Sequence, residues 1–196
     1  MSPDVGALRF DPAQHRYWTG TRELLAVTHV LQTAGLLDAT WFTPAGRARG
    51  GAVHQATEVL DRDGVIPPCD PAVAPYVEAY RAFCQEARPV WHGLEQPVAD
   101  LQLGYAGTPD RWGTLHGEPV VVDLKTGTVP PWAPLQLVAY GRLDLGEPRI
   151  ARRRRLVVHL LPTGRYSIRE YPLINFGRDE RVFLAALAVA QWKRAA

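Results

Sequence analysis

Lysine is nearly absent from this chain of 196 residues: of its 22 basic residues only Lys125 and Lys193 are lysines. Cysteine is as scarce, with Cys69 and Cys84 alone. Two cysteines exclude a disulfide framework, and their spacing matches no zinc site. No apolar run approaches the roughly 18 residues of a membrane span, and no charged-then-apolar leader opens the chain, so a cytoplasmic location is expected. Net charge is also small, at +2. A polyanion would therefore have to be met by a local basic surface and not by the overall balance. There is no internal repeat and no low-complexity linker. With 46% hydrophobic residues, a chain of this length can bury one good core, so residues 1–196 are read as a single domain.

Against that background the placement of Lys125 is informative. It sits inside the run Val120-Val121-Val122-Asp123-Leu124-Lys125-Thr126-Gly127, two residues from a carboxylate. A guanidinium is a planar fork that stays charged, whereas an ammonium is a compact charge that can sit against one oxygen. Asp110 lies upstream, in Gly107-Thr108-Pro109-Asp110-Arg111-Trp112. Tyr105 to Leu115 and Pro119 to Leu124 read as two strands around the turn His116-Gly117-Glu118. Such a hairpin sets Asp110 and Asp123 on neighbouring strands, with Pro109 at an edge or a bulge. Two carboxylates and an ammonium at one sheet end suit a hard cation such as Mg²⁺ that also holds phosphate oxygens, and hence phosphodiester hydrolysis.

A coarse reading places the remaining elements. Short strands are expected from Leu8 to Val27, with a turn at Thr19-Gly20, and Thr28 caps a short helix ending near Gly35. Thr43-Pro44 is an N-cap and first-turn pair for a helix toward Arg62, carrying Arg47, Arg49, His54 and Glu58. Pro71 opens a further helix ending before Pro89. Pro130-Pro131 starts the helix bearing Gln136 and Tyr140, a strand pair spans Arg152–Leu161 and Arg165–Tyr171, and Arg178 to Lys193 is a final amphipathic helix. The order is α/β. The run Arg152-Arg153-Arg154-Arg155 can expose at most two residues on one face of a strand. It is either a DNA contact or an edge strand protected by charge.

His54, then Pro109-Asp110, then Asp123-Leu124-Lys125-Thr126-Gly127, then Gln136 and Tyr140, resemble the signature of the PD-(D/E)xK nuclease superfamily in its RecB-like exonuclease branch. The lead-in with His15-x-Tyr17 and Val27-Thr28-His29 is similar to phage and prophage members. The resemblance implies a restriction-endonuclease-like core, a central mixed β-sheet flanked by helices, with N-terminal strand additions. It also implies a Mg²⁺- or Mn²⁺-dependent deoxyribonuclease, an exonuclease of DNA recombination or processing, with DNA and a phage or host recombination protein as partners. A non-cleaving DNA-binding accessory protein and an endonuclease on the same core stay open, as does the oligomeric state.

By the same resemblance His54, Asp110, Asp123 and the backbone carbonyl of Leu124 hold the metal, and Lys125 positions or activates the attacking water. Gln136 and Tyr140 brace the site and contact the strand being cut. Glu95 is a supporting candidate, and Glu58 is either another or a solvated partner of Arg62. Arg111, Arg47 and Arg49 are candidates for phosphate contacts. Some relatives hold a four-cysteine iron–sulfur cluster, which two cysteines cannot supply.

Overall fold

The computed structural model describes residues 7–38, 43–143, 145 and 153–195. Three short strands come first, β1 (Leu8–Asp11), β2 (Arg16–Thr19) and β3 (Arg22–Ala26), then the helices α1 (Val27–Thr33), α2 (Pro44–Asp63) and α3 (Ala74–Ala87). Strands β4 (Val90–Leu94), β5 (Val98–Asp100), β6 (Tyr105–Gly107), β7 (Arg111–Leu115) and β8 (Glu118–Lys125) follow. Helix α4 (Ala133–Arg142), β9 (Arg154–Leu160), β10 (Tyr166–Tyr171), a 3-10 turn (Leu173–Asn175) and α5 (Phe176–Ala195) complete the described elements.

The strands form two five-stranded sheets, ordered β1-β2-β3-β6-β5 and β10-β9-β8-β7-β4. Both are mixed: β3 pairs parallel with β6, and β8 parallel with β9 across the α4 crossover, while the other pairings are antiparallel. The expected α/β architecture, a central mixed sheet flanked by helices with N-terminal strands added, is present. The addition is larger than the first three strands, because it recruits β5 and β6 into a second sheet.

Strand β8 organises the central sheet through its period of two. Val120, Val122 and Leu124 pack with Val53, Tyr80 and Phe83 of α2 and α3. Val121 packs with Leu137, Tyr140 and Phe183 of α4 and α5. Val120, Val121 and Val122 are fully buried, each worth roughly 1.5–3 kcal/mol of apolar transfer. A strand covered on both faces is what the unbroken valine run encodes. Asp123 and Lys125 alternate with Leu124 and so share the α4 side.

Several boundaries differ from the sequence expectation. Tyr105 to Leu115 is not one strand: β6 belongs to the first sheet and β7 to the second, with Thr108-Pro109-Asp110 crossing between them. Pro109 has no N–H for a ladder and biases Thr108 away from helical geometry, so the break falls there. Helix α1 starts at Val27 with Ala26, not Thr28, at its N-cap. The Val27 side chain enters the core directly from β3. Pro71 sits in a turn whose start is held by Asp70, through its side chain to the Ala72 N–H at 2.7 Å and its carbonyl to the Ala74 N–H at 3.0 Å. Helix α3 then starts only at Ala74. The Thr43 side chain does cap α2, accepting from the Gly46 N–H at 3.0 Å.

The described part of the arginine run does not lie on an edge strand, and its side chains are engaged within the protein. β9 lies between β10 and β8. Arg155 is fully buried and donates to Asp179 on α5 at 2.8 Å and to the Pro134 carbonyl at 3.1 Å. Arg153, also buried, reaches the Gly141 carbonyl at 3.1 Å. Arg154, on the opposite face, is held bidentate by Glu170 at 2.8 Å. Arg152 lies outside the described residues.

Candidate active site

The register of the β7–β8 hairpin places the two aspartates. Arg111 pairs with Val122, so Asp110, one residue earlier, lies level with Asp123 at the same sheet end. Asp110 Oδ2 accepts the Leu124 N–H at 2.6 Å, which fixes its carboxylate against β8. Asp123 is 1% exposed, and Lys125 Nζ donates to its Oδ1 at 2.8 Å. Its Oδ2 lies 2.6 Å from the same ammonium but without hydrogen-bond geometry, so that buried oxygen has no aligned donor.

Helix α2 brings the imidazole to this end of the sheet. His54 Nδ1 lies 2.8 Å from Glu95 Oε1 and 3.6 Å from Asp110 Oδ1. His54, Glu95 and Asp110 each offer a ligand atom within 4.8 Å of the others. Glu95 is more central than its sequence context indicated. It has a left-handed backbone, φ 45°, and its N–H donates to the Asp110 carbonyl at 3.0 Å. For a non-glycine residue that conformation costs energy, and the cost falls where a carboxylate is turned toward a histidine. Glu58 does not join the group; it pairs with Arg62 at 2.7 Å, the solvated alternative.

The electrostatics follow from acids crowded out of water. Burial and the neighbouring Asp110 push the Asp123 carboxyl up to about 6, against the pull of Lys125. Burial also raises Asp110 above the ordinary aspartate range, with His54 opposing and Glu95 adding to the rise. Burial alone would lower His54, but Asp110 and Glu95 outweigh it and lift the imidazole to about 9. Burial opposes the charge on Lys125 as well, yet Asp123 and Asp110 raise it. The result is an anionic pocket balanced by the chain's own cations.

Helix α4 forms the next wall. Gln136 Nε2 donates to Tyr140 Oη at 3.0 Å, while Gln136 Oε1 is buried without a hydrogen-bond partner. Tyr140 packs closely against Gly107: a Cβ there would lie 2.5 Å from the Cε1 of its ring. Next to Gly107, Thr108 Oγ1 lies 2.8 Å from the phenol of Tyr17, a fully buried residue of β2. The first sheet thus reaches the chain segment that presents Asp110.

The arginines separate. Arg49 is half-buried, stacks on Tyr76 at 5.4 Å and reaches the Thr126 carbonyl at 3.4 Å, beside Lys125. Arg47 is exposed on the first turns of α2. Arg111 is not placed for phosphate. It is fully buried on the α2 side of β7, where Nε donates to Asp61 at 2.6 Å, Nη2 to Thr57 at 3.1 Å and Nη1 to Glu95 at 3.1 Å. Sequence reading missed Asp61 and Thr57. His54, Thr57 and Asp61 recur at helical spacing along one face of α2, a signal present in the chain.

An open cleft of about 420 Å³ adjoins Glu95, lined also by Arg62, Trp91, His92 and Pro97. Among the described residues no helix is long and apolar enough to cross a membrane.

No family model matches the sequence, and no curated protein matches it. Among solved structures the chain is similar to LHK-Exo, an alkaline exonuclease from Laribacter hongkongensis. The likeness covers 88% of this chain and 92% of that one at 12% identity and a TM-score of 0.35. A crystal structure of LHK-Exo in complex with dAMP is similar over 87% of this chain and 89% of that one, at 14% identity and a TM-score of 0.38. The functional reading therefore rests on the site's own geometry.

Proposed function

We propose that this chain is a Mg²⁺- or Mn²⁺-dependent deoxyribonuclease, and specifically an exonuclease. The observation that carries the reading is the grouping at one sheet end. Asp110 and Asp123 lie level at that end, with Lys125 against Asp123 and with His54 of α2 and Glu95, just after β4, beside Asp110.

The donor set fits a hard divalent cation. His54, Glu95 and Asp110 bring an imidazole nitrogen and two carboxylates within 4.8 Å of one another, and beside them Asp123 Oδ2 is buried without an aligned donor. His54, Asp110, Asp123 and the Leu124 carbonyl would hold the ion, with Glu95 beside them. When bound, such an ion polarises a phosphoryl oxygen and makes water a better nucleophile at neutral pH.

The chain's own groups supply the rest. Water oxygen forms the new bond to phosphorus and gives up a proton to solvent, the bond to the leaving sugar oxygen breaks, and that oxygen takes up a proton from solvent water. Lys125, fixed by Asp123, orients the attacking water and stabilises the charge that develops on phosphate. Gln136 Oε1 offers an acceptor to that water or to the scissile nucleotide. Tyr140 braces Gln136, while Arg49 and Arg47 meet flanking phosphates. A cytoplasmic role in recombination or DNA processing, beside a phage or host recombination protein, accords with this chemistry.

The test is incubation with end-labelled linear and closed circular DNA, each with Mg²⁺, Mn²⁺ or EDTA. Metal-dependent loss of the linear form alone is expected. Cutting of the circle would make the protein an endonuclease, and retained binding without cutting would make it an accessory DNA-binding protein.

A further inference from the structure

Arg111 uses its whole guanidinium inside the protein. Nε bonds Asp61 and lies 3.3 Å from the Tyr80 hydroxyl, Nη2 bonds Thr57, and Nη1 bonds both Glu95 Oε1 and the Asp110 carbonyl, the latter at 2.6 Å. The Tyr80 hydroxyl in turn donates to Asp61 Oδ2 at 2.6 Å. Burying a guanidinium is expensive, and an apolar side chain could fill this side of β7 more cheaply. What distinguishes the arrangement is its direction. One edge of the fork is anchored on α2, the helix that carries His54, and the other holds two groups of the acidic cluster.

We infer that Arg111 is a positioning residue for the cation site, holding Glu95 and the Asp110 backbone in place, with Asp61 as its anchor. This rests on the proposed metal site. The same side chain links three segments of the site: α2 through Asp61 and Thr57, Glu95 just after β4, and the entry to β7 through the Asp110 carbonyl. Glu95 Oε1 receives this bond at 3.1 Å beside its 2.8 Å contact with His54 Nδ1, so Arg111 sets the carboxylate against the imidazole. Lysine cannot replace the fork, since one ammonium cannot reach Asp61, Thr57 and Glu95 from a single point in these three directions. Partners that orient metal ligands characteristically change metal affinity about 10- to 100-fold when altered.

The test is calorimetric titration of Mn²⁺ alone into the wild type, Arg111→Lys and Asp61→Asn, with folding checked by circular dichroism and DNA cleavage measured in parallel. Folded Arg111→Lys should bind Mn²⁺ about 10- to 100-fold more weakly. Asp61→Asn, which keeps an acceptor but loses the anchoring charge, should show a loss of about tenfold. If Arg111→Lys fails to fold, Asp61→Asn decides alone. A purely structural role would lower thermal stability while each folded variant bound Mn²⁺ as the wild type does, and that result overturns the inference alone. A wild type that binds no Mn²⁺ overturns the metal reading and this inference with it.

Discussion

Asp110 Oδ2 accepts the backbone N–H of Leu124 at 2.6 Å, across the two strands that carry the acids. One oxygen of Asp110 is thereby committed to β8, and the other faces His54 at 3.6 Å. Leu124 stands between Asp123 and Lys125 in the chain, so this single contact registers four of the proposed site residues against one another.

Lys125 separates catalysis from binding. If its ammonium acts on the nucleophile or on developing charge, Lys125→Ala should lower kcat about 10²- to 10³-fold while DNA affinity changes little. Lys125→Arg should not restore the rate, because the larger fork does not fit against the buried Asp123 carboxylate. Steady-state kinetics paired with DNA binding measured under non-cleaving conditions check this. An arginine variant with wild-type turnover would reduce Lys125 to a replaceable positive charge.

Gly107 tests the wall that carries Tyr140. A Cβ at this position would lie 2.5 Å from the Tyr140 ring and 3.2 Å from Val27, and the ring must move. Gly107→Ala should cost about 1–3 kcal/mol of stability in urea titration, as overpacking does, and turnover should fall with the displaced tyrosine. A variant with wild-type kinetics despite the shifted ring would remove Tyr140 from the working site.

Alkaline pH should weaken the fold. Burial pushes the Cys84 thiol up to about 12 and the Tyr17 phenol up to about 12. In the unfolded chain these groups lose their protons from roughly pH 8.5 and pH 10 respectively. Between those values and pH 12 the folded state binds more protons than the unfolded one, so stability falls as pH rises. The slope should reach up to about 1.4 kcal/mol per pH unit for each group. Urea midpoints at pH 8, 9.5 and 11 measure this; a midpoint that stays flat would mean the thiol and phenol are solvated.

The legible parts of this molecule are local in sequence. The Thr43-Pro44 cap, the valine run of β8 and the Asp123–Lys125 pair are all set by neighbours within a few residues. The break at Pro109 had its signal in the missing N–H, but only the second sheet, which takes β6 away, decides between a bulge and a change of sheet. Partners distant in the chain were not legible. Arg111 looked like a phosphate contact because Asp61, fifty residues earlier, could not be seen to face it. Arg155 likewise is buried because Asp179 and the Pro134 carbonyl converge on it, and strand periodicity gives parity but not which face is covered. Glu95 was underrated because a left-handed φ at a glutamate leaves no mark in a sequence.

The central claim is that Asp110 and Asp123 together hold a catalytic divalent cation. Titration calorimetry of Mn²⁺ into the wild type, Asp110→Asn and Asp123→Asn tests it most directly, since removing one anionic ligand weakens a metal site without changing side-chain size. Wild-type binding that falls at least about tenfold in each variant, in folded protein and together with DNA hydrolysis, is the result this account predicts. Mn²⁺ binding unchanged in both variants would contradict it.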